Sequence, residues 1–545
     1  MKTKTEGALA ALVLLALAAF AATHVTAWTV EGEQPSLIAA ALLSTAFGLA
    51  HAVHTLGWAR ALTFFCICAV GSFLAEAQSI ATGNVGAYEY TNVLGPKLGT
   101  VPLVIPLTWF MMLYPSHVIA NLIVERKARI RRGTISGAIW LAFLTAAILT
   151  AWDIVLDPYM SGKVKAWIWT DGGPYFGVPF MNFFGWIRVA FLIDVVYRLA
   201  ARGIRMKPVG EVKRWMAVLP VSTYALNAIG DIFIGWPDET RLIVVFVMGI
   251  TVLIAISRIL GHEPAPEEGF RAPQDSGAKR IGLSLGAVAL VLTLVMGAFA
   301  LRPLFVGAKV PFVQLVPIFA LFSLAHAWAL LGWRRALAFL AVSSVVSFLA
   351  EYLGTTTSGI FGAYYYTDVL GPKILGEVPV VIPFTWFLMI YPSYLIANLI
   401  AGGHPVVESD DWRSLLWLSL LGGLVMTAWD ITLDPYMVEF EKAWVWTQGG
   451  MYFDIPIQNY VGWVATTTLV FILVRLLFRR IPFTPQVKAS RAFVALPLLT
   501  YGFMSIGDIA LGEPPETLLL SPFAMGLPLA YAATALARWR SEKAE

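Results

Sequence analysis

The chain has 545 residues, of which 58% are hydrophobic and only 13% are charged, with a formal net charge of +4 and a mean hydropathy of +0.73. This balance excludes a soluble globular domain and indicates an integral membrane protein. Its two cysteines, Cys66 and Cys68, lie within one predicted helix, which argues against a disulfide framework or a thiolate metal site. No basic, aromatic-rich soluble segment suggests a nucleic-acid partner.

Apolar runs of about 20 residues follow one another along the chain, and each is long enough to cross the ~30 Å hydrocarbon core of a bilayer as a helix. In the first half we predict about eight helices, near residues 8–28, 36–56, 60–82, 101–124, 135–157, 181–201, 214–234 and 240–259. A second set is predicted between residues 281 and 537. The first run could also be a signal peptide. Its counterpart at 281–300 cannot be one, so we expect a retained helix in both halves.

Lysine and arginine cluster at residues 125–132, 198–214, 258–280, 475–491 and 538–543. All five clusters fall on one side if about sixteen helices alternate from a cytoplasmic N-terminus, although one further loop on that side is acidic. The positive-inside rule therefore predicts that both termini are cytoplasmic. We expect the membrane to be a bacterial or archaeal cell membrane. An even number of helices in each half makes the halves parallel repeats.

Long segments of the first half return almost unchanged in the second. GAYEYTNVLGPK at 86–97 returns as GAYYYTDVLGPK at 362–373, and TAWDIVLDPYM at 150–160 returns as TAWDITLDPYM at 427–437. Such long-period similarity is typical of a tandem duplication. A segment rich in Pro, Gly and charge separates the copies. We therefore predict an all-α polytopic membrane fold, with one membrane repeat over 1–259, a linker over 260–280 and a second membrane repeat over 281–545.

Each copy keeps four acidic residues near the outer ends of its predicted helices, and a carboxyl within a bilayer helix is costly and points to function. Asp153 and Asp157 are four residues apart, which places them on one helical face. Asp157 precedes Pro158 and could instead be a helix-ending turn residue, and Asp231 could also end a helix. The candidate catalytic residues are Glu76, Asp153 and Asp157, with Glu351, Asp430 and Asp434 in the second copy.

The predicted outer loops near 83–100 and 158–180, and their twins near 359–377 and 435–456, repeat whole Gly- and Pro-containing sequences. Trp and Tyr at such positions are most often interfacial anchors. The repetition indicates in addition a defined loop shape that could cap a cavity. The candidate substrate-binding residues are Tyr88, Tyr90, Trp109, Trp167, Asn182 and Asp231 in the first copy and Tyr364, Tyr366, Trp386, Trp444, Asn459 and Asp508 in the second.

Several cofactor classes lack their motifs in this chain. No pair of histidines kept in both halves has helical spacing, which disfavours a bis-His haem, and no His-box cluster supports a di-iron site. P-loop and dinucleotide fingerprints are missing. No DDxxD-like element supports an Mg²⁺-dependent prenyl diphosphate transferase. We therefore expect neither a metal nor an organic cofactor.

The kept groups suit acid catalysis on a lipid-soluble alkene. A carboxyl in surroundings of low dielectric resists ionisation and can act as a general acid. Protonation of an alkene carbon gives a tertiary carbocation, which the faces of Trp and Tyr rings can stabilise. Capture of the cation by water is hydration, and capture by a neighbouring double bond is cyclisation. A second carboxylate would orient the water or take the final proton.

Five repeated motifs carry a family resemblance over most of each half: SFLAE, GxYxYTxxLGPK, VPxxIPxTWFxMxYPS, TAWDxxLDPYM and WxWTxGGxYFxxPxxNxxGW. Together they resemble the carotenoid biosynthesis membrane family that includes the bacterioruberin-type and γ-carotene 1′,2′-hydratases. The resemblance implies addition of water to the terminal C1,C2 double bond of an acyclic carotenoid. The implied partners are that carotenoid, water and membrane lipid, with other carotenoid enzymes as candidates. Members are usually single units, so the fusion is a departure, and the resemblance assigns no catalytic residue.

Two other interpretations stay open. A carotenoid end-group cyclase or isomerase uses the same acid chemistry. A non-catalytic carotenoid or lipid transporter or binding protein would also need aromatic cavities, intramembrane acids and repeats, but the Gly and Pro breaks lie at helix ends and not at the midplane. The duplication likewise allows two working sites, one for each end of a symmetric carotenoid, or one working copy and one scaffold.

Overall fold

The computed structural model describes residues 37–128, 133–205, 214–261, 263–267, 276–306, 312–407 and 411–539, together with most of 11–22. The chain forms two compact units, Met1–Gly261 and His262–Glu545, and this division falls within the segment predicted as a linker. Among the described residues, 15 helices are long and apolar enough to cross a membrane. The prediction of an all-α polytopic membrane fold is confirmed.

The first unit contains seven of these helices: α1 Leu37–Leu56, α2 Trp58–Thr82, α3 Ile105–Glu125, α4 Ile135–Asp157, α5 Phe180–Ala200, α6 Arg214–Ile234 and α7 Thr240–Leu260. Helix α4 continues as a π-helical turn over Pro158–Lys163, and α7 contains a π-helical segment at Val245–Gly249. Much of the helix predicted at 8–28 lies outside the described residues. Its described residues are helical, and Val13 packs with Phe47 of α1 and Met216 of α6.

Two short antiparallel ladders connect the helices of the first unit. Strand β1, Tyr88–Tyr90, pairs with β4, Trp167–Trp169. Strand β2, Lys97–Leu98, pairs with β3, Val101–Pro102. This second ladder explains why the helix predicted from residue 101 begins at Ile105: its first apolar residues form a hairpin.

The second unit contains eight membrane-length helices among its described residues: α8 Ser276–Val306, α9 Phe312–Leu331, α10 Trp333–Thr357, α11 Ile382–Gly402, α12 Trp412–Glu439, α13 Ile457–Phe478, α14 Arg491–Leu511 and α15 Thr517–Arg538. Its strands repeat the arrangement of the first unit: β5 Tyr364–Tyr366 pairs with β8 Trp444–Trp446, and β6 Lys373–Ile374 pairs with β7 Val378–Pro379. Helix α8 begins at Ser276, within the predicted linker. Helix α15 is interrupted at Met525.

One helix forms the centre of each unit. Helix α3 packs against α1, α2, α4, α6 and α7, and α11 packs against α9, α10, α12, α14 and α15. Nearly every residue of α3 and α11 is buried, because each helix has neighbours on all sides. In the first unit the start of α3 lies beside the ends of α2 and α4, and in the second unit the start of α11 lies beside the ends of α10 and α12. The acids kept in both copies occur at these ends.

Local interactions fix several helix ends. The Thr134 hydroxyl accepts a hydrogen bond of 3.0 Å from the Gly137 amide, so α4 begins at Ile135 as predicted. Asp411 caps α12 in the same way through the Ser414 amide. A single glycine, Gly57, joins α1 to α2 with a φ of 88°, a left-handed conformation that side chains of L-residues disfavour.

Candidate active site

The kept acids of the first unit lie where several helices end together. Glu76 is in the last two turns of α2, Asp157 is the last α-helical residue of α4, and Asp231 is in the last turn of α6. Asn182 opens α5, and Trp109 is in the second turn of α3. The β1–β4 ladder, formed by the connections that follow α2 and α4, lies at the same end of the unit.

The ladder directs four aromatic side chains to one face. Tyr88 pairs with Trp169, and Tyr90 pairs with Trp167. Because side chains alternate along a strand, these four residues share a face, while the intervening Ile168 is exposed on the other. The ring centroids of the pairs are 4.8 Å and 6.0 Å apart, respectively. Cross-strand packing therefore fixes the positions of two phenols and two indoles.

Two glycines allow the connecting segments to approach closely. Gly86 has a φ of +112°, and a Cβ there would lie 2.6 Å from the Pro179 side chain. A Cβ on Gly173 would lie 2.2 Å from the backbone nitrogen of Pro179. Close backbone approach of this kind requires glycine. Gly86 therefore allows the residue before β1 to pack on Pro179, and Gly173 allows the connection between β4 and α5 to fold back on itself.

Glu76 accepts hydrogen bonds from three aromatic donors. The hydroxyls of Tyr88 and Tyr90 donate to Oε2 at 2.6 Å and 2.9 Å, and the indole of Trp109 donates to Oε1 at 3.0 Å. The Trp109 ring stacks on Trp186, with centroids 4.1 Å apart. Burial and the neighbouring Glu76 carboxyl raise the pKa of the Tyr88 and Tyr90 phenols, which therefore remain protonated donors.

Asp157 and Asp153 form a pair of carboxyls separate from Glu76. The indoles of Trp167 and Trp169 donate to Oδ1 of Asp157 at 2.8 Å and 3.1 Å. Nδ2 of Asn182 donates to Oδ2 of Asp157 at 2.6 Å and to Oδ2 of Asp153 at 3.1 Å. Asp153 is fully buried, and its Oδ1 has no hydrogen-bond partner among the described residues. One amide therefore bridges two carboxyls.

A cavity of about 760 Å³ is lined by both Glu76 and Asp157. Its polar and aromatic lining includes Glu76, Tyr88, Tyr90, Trp109, Asp157, Trp167, Trp169, Asn182, Trp186 and Asp231, together with Lys163, Arg188 and Arg241. Of the predicted site residues in the first copy, Asp153 does not line the cavity. Asp231 lines the cavity, and its buried Oδ2 has no hydrogen-bond partner within the described part of the chain.

The second unit reproduces most of this hydrogen bonding. Glu351 accepts bonds from Tyr364, from Tyr366 at 2.8 Å and from the Trp386 indole at 3.0 Å. Asn459 donates to Asp434 at 2.6 Å and to Asp430 at 3.4 Å. Trp444 and Asp434 line the same small cavity. The repeated sequence therefore builds the same polar arrangement twice.

The surroundings of the second arrangement differ from those of the first. The cavity beside Glu351 and Asp434 measures only about 30 Å³ within the described residues. Asp508, predicted to bind substrate, does not line it; its carboxyl instead accepts a hydrogen bond of 2.7 Å from Thr432. The Trp446 indole donates to the backbone oxygen of Phe361, whereas its counterpart Trp169 donates to a carboxyl.

Sequence reasoning missed some residues of the first cavity. Trp169 and Trp186 were not selected, although both are repeated as Trp446 and Trp463, so the signal was present. The cationic lining residues Lys163, Arg188 and Arg241 are not repeated in the second copy, and comparison of the copies could not select them. No group of three or more His, Cys, Asp and Glu side chains among the described residues could hold a metal ion.

The fold and the site define a duplicated polytopic membrane protein, in which each unit buries carboxyls among aromatic donors at the ends of its helices. The chain belongs to the carotenoid biosynthesis protein family, whose model matches residues 36–256 and 311–530, once in each unit. The family resemblance and the tandem duplication predicted from the motifs are confirmed.

The chain is also similar to the bisanhydrobacterioruberin hydratase of Haloarcula japonica. The two proteins are 28% identical over 192 residues, which is 35% of this chain and 60% of that relative. The matched region therefore spans less than two thirds of the relative's length. No solved structure matches this chain at a significant level.

Proposed function

We propose that this protein hydrates an acyclic carotenoid by adding water to the terminal C1,C2 double bond in the cavity of the first unit. The observation that carries the proposal is the placement of Glu76 and Asp157, each hydrogen-bonded to aromatic donors, on one cavity. Membership of the carotenoid biosynthesis family and the similarity to a hydratase support a carotenoid substrate.

The cavity has the size and lining that one end of a polyene requires. Its volume of about 760 Å³ lies within the usual range for small-molecule pockets. Apolar residues such as Leu37, Ala41 and Val85 line it beside the carboxyls. The stacked rings of Trp109 and Trp186 present an electron-rich surface that attracts a positive charge. An apolar chain and a transient carbocation can therefore both be accommodated.

The Asp153–Asp157 pair is the proton source in this proposal. The Asn182 amide bridges the two carboxyls, and two negative charges so close together in a dry site repel strongly, so the pair retains one proton. Asp157 faces the cavity and donates this proton to C2 of the alkene. The π electron pair forms the new C2–H bond, and C1 becomes a tertiary cation. Asp153 acts through Asp157 and is a positioning residue.

Glu76 takes the second role. Its three donors hold Glu76 beside the cavity, where its carboxylate can orient a water molecule toward the cation. The water oxygen forms a bond to C1, and its surplus proton passes to Glu76. Water in the cavity returns that proton to the aspartate pair before the next turnover. The net reaction consumes one alkene and one water and yields one tertiary alcohol.

Expression in cells that accumulate lycopene, followed by mass analysis of their pigments, tests the proposal. The wild-type protein is expected to produce pigments heavier by one or two water molecules. Asp157→Asn and Glu76→Gln are each expected to lower product formation by about 100-fold or more, the usual contribution of a positioned acid or base. An isomeric product would indicate cyclisation, and an unchanged pigment would indicate binding or transport; either result would overturn the proposal.

A further inference from the structure

The two units keep the same carboxyls but differ in the space beside them. We propose that only the first unit is catalytic and that the second is a scaffold, so a carotenoid with two reactive ends is hydrated one end at a time. This inference rests on the proposed hydratase function and assigns it to one site. The cavity volumes, about 760 Å³ and about 30 Å³, are the first observation that supports it.

An aromatic side chain closes the second cavity. Val85, which lines the first cavity just before the GAY motif, corresponds to Phe361 in the second copy. The Phe361 ring is buried, with its centroid 6.3 Å from that of Trp386. A Cβ on Gly354 would lie 2.7 Å from this ring, and the corresponding residue in the first unit is Ser79. Because glycine stands in the second unit where the first has Ser79, there is room for the larger ring of Phe361.

An acid that faces the first cavity has an internal partner in the second unit. Val155 in the first copy corresponds to Thr432, whose hydroxyl donates to Asp508 at 2.7 Å. Valine offers no such donor, and Asp231 faces the first cavity with a buried oxygen that has no partner among the described residues. Asp508 is therefore held away from the small second cavity, whereas Asp231 lines the first.

The second unit also lacks three cationic side chains that line the first cavity. Lys163, Arg188 and Arg241 line the first cavity, and the corresponding second-copy residues are Phe440, Ala465 and Leu518. Arg188 is exposed and lines this cavity, so its guanidinium can bind water there. Apolar side chains cannot bind water in this way.

The helix geometry differs at the same place. In the first unit the segment Pro158–Lys163 forms a π-helical turn that ends at the cavity-lining Lys163. The corresponding segment of the second unit remains α-helical up to Glu439. π-Helical turns occur frequently at functional sites. The two units therefore differ in cavity volume, in the hydrogen bonding of one acid, in the charge of the cavity-lining residues and in backbone geometry. Each difference favours the first unit as the catalytic one.

Matched substitutions in the two units test this assignment. Glu76→Gln is expected to lower hydration of both substrate ends by about 100-fold or more, the contribution expected of an acid or base, whereas Glu351→Gln leaves the rate within about threefold of wild type. Loss of hydration at one end only in either variant would mean two working sites. Loss of hydration in a folded Glu351→Gln protein would likewise overturn the assignment. A wild-type protein that does not hydrate would instead refute the proposed function.

A double substitution tests the role of the open cavity without changing any carboxyl. The double variant Val85→Phe with Ser79→Gly copies the second-unit packing into the first cavity. We expect the protein to fold, with an unchanged elution volume in detergent, but to lose most hydration activity. Full activity in this variant would contradict the role of the open cavity.

The time course supplies a further criterion. A single site must release a substrate hydrated at one end before it can treat the other end. With the purified protein in lipid vesicles, the singly hydrated carotenoid is expected to accumulate first and the doubly hydrated product to follow after a lag. Doubly hydrated product formed from the outset, without the singly hydrated species, would overturn the inference.

Discussion

Asn182→Leu tests the organisation of the aspartate pair, because leucine has a similar shape but no amide donor. Asn182 donates at 2.6 Å to Asp157 and at 3.1 Å to Asp153. A hydrogen bond to a charged group contributes about 1.5–3 kcal/mol. Asp157 keeps its two indole donors, so we expect a loss of about 2–3 kcal/mol of transition-state stabilisation, equivalent to about 30- to 150-fold in kcat/KM.

The assay is the initial rate of hydrated carotenoid formation by the purified protein in lipid vesicles, with Tm measured on the same samples. Asn459→Leu is the matched control, since Asn459 bridges Asp430 and Asp434 in the second unit. Both variants are expected to lower Tm to a similar extent, but only Asn182→Leu is expected to lower kcat/KM. A folded Asn182→Leu protein with a rate within threefold of wild type would refute the role of the bridging amide.

Three further predictions concern residues that line the cavity and a glycine in the loop before α5. Trp186→Leu removes the ring that stacks on Trp109 and is expected to lower kcat by about 3- to 30-fold through lost cation stabilisation; an unchanged kcat would exclude that role. Asp231→Asn is expected to lower activity without lowering Tm, because the buried Oδ2 of Asp231 has no hydrogen-bond partner among the described residues; a fall in Tm alone would make it structural. Gly173→Ala is expected to lower both Tm and activity, because its Cβ would collide with the Pro179 backbone; unchanged thermal unfolding would contradict this.

The hydropathy pattern made most of the helices predictable. Helix α6 begins and ends within the predicted range 214–234, and α4 begins after its Thr134 cap. Two boundaries differed for local reasons. The apolar residues after 100 belong to the β2–β3 hairpin, and Pro158 is followed by a π-helical turn where a loop was predicted. Hairpin pairing and π-turns depend on contacts that an apolar pattern does not encode.

Comparison of the repeats selected the hydrogen-bonded part of the site effectively. Carboxyls and aromatic donors that depend on one another tend to be kept together, and Glu76 with Tyr88, Tyr90 and Trp109 is an example. The same comparison could not select residues on which the copies differ. Arg188 was missed for this reason, and so was the closing residue Phe361. What distinguishes the two units therefore required the three-dimensional structure.

Isotopic labelling of the product tests the hydration chemistry most directly. The purified protein in lipid vesicles would be given an acyclic carotenoid in ¹⁸O-labelled water and, separately, in deuterium oxide. Hydration at C1,C2 predicts one ¹⁸O in the new hydroxyl and one non-exchangeable deuterium at C2 for each hydrated end. A pigment isomer that contains no ¹⁸O, or a pigment that is recovered unchanged, would contradict hydration.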